Sequence, residues 1–178
     1  MANFYITGYR NYELGLFGDN DPKTKYLKKY LQKQMLELID SGVEWFLFSG
    51  QSGIEYLAFQ VVNDLKAEYD IKTGVLFPFA DFGMQSERSQ QMIATYKSQS
   101  DYYADVTKQP YQNPRQLKYH TQFVLAHTQG TWMLYDNFEQ KGKTEYFYQD
   151  ALAYQEQHPA YEIIMQTFDD VNQSLQEF

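Results

Sequence analysis

Short apolar runs alternate with longer segments of helical period along this chain, and that alternation limits the fold more than any other feature. Residues 3–7 (Asn-Phe-Tyr-Ile-Thr), 43–49, 71–77, 102–107, 131–135 and 162–166 read as six strands. Trp45 to Phe48 is continuously apolar, as expected of a strand buried on both faces of a parallel sheet. Asp21-Pro22 opens a helix with Asp at the N-cap and Pro at the first position, and its stripe is Leu27, Leu31, Met35, Leu38 and Ile39, ending near Ser41-Gly42. A second helix starts near Ser52 and carries Ile54, Leu57, Ala58, Val61, Val62 and Leu65. A weaker one runs from about Ser86 to Gln99. Another starts at Asn113-Pro114, with Leu117, Thr121, Val124 and Leu125 on one face. A helix from about Thr144 to Gln157 follows, and the tail from Asp169 adds a short helical turn. Such βαβ units predict one α/β domain over residues 1–178, a mostly parallel sheet of about six strands with helices on both faces. Ligands in such sheets bind beyond the carboxyl ends of the strands, where strand order reverses. The loops after residues 7, 49, 77, 107 and 135 are therefore the places to look.

Composition removes several classes of function. The 178 residues suffice for a full core without covalent staples. The absence of cysteine excludes disulfides, iron–sulfur clusters and thiolate zinc sites. Fifteen basic against 23 acidic residues give a net charge of −8, which repels phosphate backbones and argues against general nucleic-acid binding. The 17 Tyr and 13 Phe are mostly core, and no basic stripe accompanies them to make a single-strand platform. No apolar run approaches a membrane span, and Met1-Ala-Asn-Phe-Tyr-Ile-Thr-Gly8 lacks the basic head and long apolar core of a secretory signal. No membrane association and a cytoplasmic location are expected.

The strongest local signal is Ser49-Gly50-Gln51-Ser52-Gly53-Ile54-Glu55, between a buried strand and an amphipathic helix. Gly50 and Gly53 let the backbone turn tightly, and the free amides and dipole at the helix start suit an anion. Three or four charge-assisted hydrogen bonds of about 1.5–3 kcal/mol each reach micromolar affinity, roughly 8 kcal/mol. Ser52 and Glu55 equally fit a capping box, Ser-x-x-Glu, with no ligand at all. A carboxylate beside a phosphate is repulsive, so in a ligand site Glu55 would instead accept from a ribose hydroxyl. After the first strand come Thr7-Gly8-Tyr9-Arg10. There Gly8 permits close approach and Arg10 offers a bidentate fork to a phosphate, unless it is a plain surface arginine. Tyr12 and Phe17, in the run Asn11 to Phe17, are placed to wall a base, as are Phe77-Pro78-Phe79 after the third strand. Gly142-Lys143-Thr144 invites a P-loop reading, but residue 137 is Asn where the first glycine is required, so a Walker-type ATPase is not expected. Lys143 and Thr144 remain as a cation and a helix start beside a ligand, or as a solvated turn.

Metal and nucleophile chemistry find little support. His120 and His127 lie seven apart on one helix, about 10.5 Å along the axis, too far for one zinc. No Gly-x-Ser-x-Gly elbow is present, and His120 reads as a boundary residue rather than a catalyst.

Taken jointly, Thr7-Gly8-Tyr9-Arg10, Glu13-Leu14-Gly15-Leu16-Phe17, Ser49 to Glu55, Pro110-Tyr111, Gln116-Leu117-Lys118 and Tyr135-Asp136 resemble the YpsA-like family of Gram-positive bacteria, over nearly the whole chain. That family sits in the SLOG superfamily, named for the DprA/Smf and Lonely Guy groups. The resemblance implies a Rossmann-like fold and a site for a nucleotide-derived ligand such as ADP-ribose, NAD or AMP, with site roles for Gly8, Arg10, Gly50, Gly53 and Glu55. It also implies a link to cell-division control through a protein partner, and leaves room for a homo-oligomer. Two departures matter. The Pro-Gly-Gly-x-Gly-Thr-x-x-Glu motif of the Lonely Guy hydrolases is absent, and Thr121 stands where the family pattern leads one to expect Asn.

Three functions follow as expectations. The first is a cytoplasmic sensor that binds a nucleotide derivative through Thr7, Gly8, Arg10, Gly50, Gln51, Ser52, Gly53, Glu55, Lys143 and Thr144. The second is an enzyme acting on an N-glycosidic bond, with Glu55 as the carboxylate. The third is a protein-interaction scaffold without a ligand. The first is preferred, because the glycine turns are where a ligand is expected to approach backbone.

Overall fold

The computed structural model describes residues 2–16 and 20–176, the last two by backbone alone. Met1 and Phe17 lie outside the described residues. Six strands are present: β1 (Ala2–Gly8), β2 (Val43–Phe48), β3 (Lys72–Phe79), β4 (Tyr102–Thr107), β5 (Gly130–Leu134) and β6 (Glu162–Gln166). The helices are α1 (Asn11–Leu14), α2 (Pro22–Asp40), α3 (Ile54–Leu65), α4 (Glu87–Gln99), α5 (Arg115–Ala126), α6 (Thr144–Gln157) and α7 (Phe168–Gln176). The strands form one sheet in the order β4-β3-β2-β1-β5-β6, and every pair is parallel. The expected Rossmann-like arrangement is therefore present.

The topology decides which helix covers which face. From β1 to β4 the chain steps one way across the sheet. It then jumps back to β5 on the other side of β1. Right-handed crossovers in opposite directions must use opposite faces. Accordingly, Phe4, Ile6, Phe46, Phe48, Val75 and Phe77 pack with residues of α2, α3 and α4 in the main core. The alternate residues Tyr5, Leu47 and Leu76 pack with Val124 and Phe123 of α5 and Phe147 of α6. The tail forms a full helix, α7, whose Val171 returns to the main core.

Elements depart from the sequence reading in three further places. β3 continues through Pro78 to Phe79, where Phe79 still pairs with Thr107. α1 has no apolar period to announce it, and was not expected. The α5 face is turned: Gln116, His120, Val124 and Leu125 are buried, whereas Leu117 is 45% exposed. His120 is an interior residue, not a boundary one. Its Nε2 donates to the Leu76 carbonyl at 2.6 Å, which fixes the tautomer because a carbonyl can only accept.

Burial pushes the His120 imidazole down to about 4 from an ordinary value of 6.5. Between those values the unfolded chain binds a proton that the folded chain does not, so stability falls as pH drops through that window and is unaffected above it. The loss reaches about 3 kcal/mol by pH 4. Urea titrations from pH 7 to pH 4 should show the gap between wild type and His120→Gln closing by that amount. A gap that stays constant would show that another group titrates.

Candidate functional site

Strand order reverses between β1 and β5, so the crevice lies where the loops after β1, β2 and β5 meet. The loop after β2 turns on Gly50 and Gly53, both at positive φ, +93° and +78°. Gly53 is the N-cap of α3, and a Cβ there would strike the carbonyl oxygen of Tyr9 and the backbone of Arg10. This close approach lets Ile54 N–H donate to the Tyr9 carbonyl at 3.0 Å, tying α3 to the loop after β1. The backbone N–H groups of Gly50, Gln51, Ser52, Gly53, Glu55 and Tyr56 have no hydrogen-bond partner among the described residues.

The turn is held from beneath by Glu55, whose residue is 0% exposed. Its carboxyl group accepts Ser49 N–H at 2.7 Å, Ser49 Oγ at 2.8 and 3.0 Å, Thr7 Oγ1 at 2.9 Å and Tyr5 Oη at 3.1 Å. Donors alone surround it, the environment a carboxylate requires. Burial, and next the Glu55 charge, push the Tyr5 hydroxyl far above its ordinary value, so it remains a donor. One expectation is corrected here. The Ser52–Glu55 capping box does not form: Glu55 reaches back to Ser49, and Ser52 Oγ accepts Asn11 N–H at 3.2 Å. The Glu55 side chain points into the protein, where it is enclosed by donors from β1 and Ser49.

On the other side of β1, Tyr9 bridges the two loops of the reversal. Its hydroxyl accepts Asp136 N–H at 2.9 Å and lies 2.6 Å from the Gln140 carbonyl, and its ring stacks on Phe168. Burial raises its hydroxyl to about 12. Arg10 is half-buried, and its Nη1 donates to the Gly8 carbonyl at 2.8 Å. Glu13, which sequence reasoning noted only within a motif, joins α1 to α6. One carboxyl oxygen accepts Arg10 N–H at 2.8 Å and the other accepts Lys143 N–H at 2.9 Å. Thr144 is 1% exposed and donates to the Gly8 carbonyl at 2.9 Å, so its hydroxyl is a pin between α6 and β1. The Lys143 side chain is exposed. Thr7 is buried with its hydroxyl on Glu55.

The sequence-predicted residues therefore meet in one place, in two layers. Thr7, Gly8, Thr144 and the Glu55 side chain form a buried support. Arg10, the backbone of 50–53 and Lys143 lie above it. Tyr5, Tyr9 and Glu13 belong to the same region and were missed as site residues, since nothing local separates a site tyrosine from the other sixteen. Among the described residues no group of three or more His, Asp or Glu is arranged to hold a metal ion, and no helix is long and apolar enough to cross a membrane.

Comparison with known proteins places this chain in a family. A family model described as the YspA SLOG family, YpsA, matches residues 4–171. A UPF0398 protein of Enterococcus faecalis is 44% identical over 177 residues, covering 98% of this chain and 97% of its own. One of Latilactobacillus sakei is 44% identical over 160 residues, 89% of this chain and 86% of its own. One of Pediococcus pentosaceus is 37% identical over 175 residues, 97% and 94%.

The two layers predict different mutational costs. Glu55→Ala removes the buried acceptor shared by Ser49 N–H and the Ser49, Thr7 and Tyr5 hydroxyls and should cost about 3 kcal/mol in urea unfolding. Gly53→Ala places a Cβ against backbone at positive φ and should cost about 2 kcal/mol or more. Wild-type stability in either variant would refute the packing described.

Proposed function

The chain belongs to the YpsA SLOG family, and from that premise we propose that it is a cytoplasmic binding protein, a sensor, for a nucleotide or nucleotide-derived ligand of the ADP-ribose or NAD kind. The observation that carries the reading is the turn at 50–53, with the start of α3. It groups backbone N–H donors without protein partners beside a half-buried arginine, at the position where parallel sheets take ligands. Arg10 spends one guanidinium nitrogen on the Gly8 carbonyl and the Thr144 hydroxyl, and its other N–H groups have no partner among the described residues. That arrangement suits phosphate oxygens, which accept from both backbone amides and a guanidinium.

Binding is favoured over catalysis by the place of Glu55. A carboxylate that attacks or stabilises a sugar cation must touch it, and this one is enclosed by its own donors. Its role in the proposal is positioning: it fixes the turn that presents the amides. A sensor needs an output, and a cell-division protein is the partner that the family resemblance implies.

Thermal denaturation with AMP, ADP, ATP, NAD, ADP-ribose and ribose 5-phosphate tests the proposal. A compound at a hundred times its dissociation constant adds about 2.7 kcal/mol, roughly 5–10 °C for a chain of this length. The expected result is a shift confined to one or two nucleotide derivatives, without base release, and strongly reduced in Arg10→Ala. A flat panel would contradict the reading, and release of free base would replace it with the enzyme.

A further inference from the structure

Tyr5, Tyr9, Tyr30, Tyr96, Tyr135 and Tyr161 are buried, whereas eight other tyrosines are exposed. Tyr12 on α1 and Tyr146 in the first turn of α6 are 68% and 76% exposed, and neither has a ring partner among the described residues. Both line one cleft of about 500 Å³ between α1 and α6. The backbones that carry them are pinned together by Glu13, whose carboxyl spans from Arg10 N–H to Lys143 N–H. Glu13 thereby fixes the relative position of the backbones from which the two exposed rings project.

The two glutamates and two lysines of that cleft balance in formal charge but differ in their partners. Its two acidic side chains are engaged: Glu13 as just described, and Glu145 with the Tyr135 hydroxyl at 3.2 Å and Gln149 Nε2 at 3.1 Å. Its two lysines, Lys141 and Lys143, have no ion-pair or hydrogen-bond partner for their ammonium groups among the described residues. This cleft thus offers two ring faces and two ammonium groups without partners among the described residues, beside two carboxylates whose hydrogen bonds go to protein donors. A flat aromatic group attached to an anionic chain complements it, since any planar base stacks on tyrosine.

We infer that Tyr12 and Tyr146 hold the base of the ligand in the α1–α6 cleft, with Lys141 and Lys143 beside its charged linkage. The inference rests on the proposed function and adds an orientation to it. α1 touches both regions, through Asn11 N–H on Ser52 Oγ at one end and Glu13 on Lys143 N–H at the other. The ligand lies across α1, with its base toward Tyr146 and a phosphate toward the 50–53 turn. Tyr12 and Tyr146 are then specificity residues, and they discriminate a nucleotide from a sugar phosphate.

Calorimetric titration separates the two claims. Wild type, Tyr12→Ala, Tyr146→Ala, Tyr12→Phe and Tyr146→Phe are titrated with ADP-ribose, and with ribose 5-phosphate, which has sugar and phosphate but no base. Both side chains are largely exposed, so the variants should fold as wild type does. Each alanine variant should bind ADP-ribose about tenfold more weakly, each phenylalanine variant should bind it as wild type does, and ribose 5-phosphate should not distinguish them. Alanine variants that bind ADP-ribose with wild-type affinity would overturn the orientation and leave the proposed function standing. Wild type that binds neither compound would overturn both.

Discussion

One buried carboxyl group sets the geometry on which the rest of the site depends. Glu55 belongs to α3, Tyr5 and Thr7 to β1, and Ser49 directly follows β2, and these three residues meet at the two oxygens of Glu55. Taking a carboxylate out of water is costly, and the cost is offset only because every neighbour is a donor. The same contacts join two adjacent strands and the helix between β2 and β3 into one unit. The direction of the chain at Ser49 is thereby determined before the glycine turn begins, and the turn inherits it.

Above that anchor the backbone comes closer than side chains allow. Gly53 sits against Tyr9 and Arg10, so α3 and the loop after β1 share a hydrogen bond instead of a layer of side chains. The reversal of strand order brings the loop after β5 to the other flank of β1. There Tyr9, Glu13 and Thr144 bind it by hydrogen bonds to Asp136, Lys143 and Gly8. Glu13 and Glu55 do comparable work on opposite sides of β1: Glu13 accepts the backbone amides of Arg10 and Lys143, and Glu55 accepts that of Ser49. The difference is burial, complete for Glu55 and partial for Glu13.

Much of this was legible, and the misses have physical causes. Strands buried on both faces must be apolar throughout, so Trp45 to Phe48 declared itself, as did the stripe of α3. Polar residues that are satisfied inside do not declare themselves. Gln116 accepts Gln112 and Asn113 N–H and donates to the Pro110 carbonyl, and His120 binds Leu76, so the buried side of α5 looks partly hydrophilic while Leu117 faces out. Ser52-x-x-Glu55 matches a local capping pattern, yet donors from β1, some fifty residues earlier in sequence, won the carboxylate. α1 is four residues long and has no period to detect. The glycine turns, Arg10 and the helix start at Thr144 were found because glycine and a helix beginning are visible in one sequence. The division between support and exposed layer was not, since it depends on where side chains point.

The central claim is that the amides of the β2–α3 turn receive a ligand's anionic group. Amide NMR spectra of uniformly ¹⁵N-labelled protein, titrated with ADP-ribose, test it most directly. The account predicts saturable shifts largest at Gly50, Gln51, Ser52, Gly53, Glu55 and Tyr56, with smaller ones along α1. Saturable shifts that leave those six amides unmoved would contradict it.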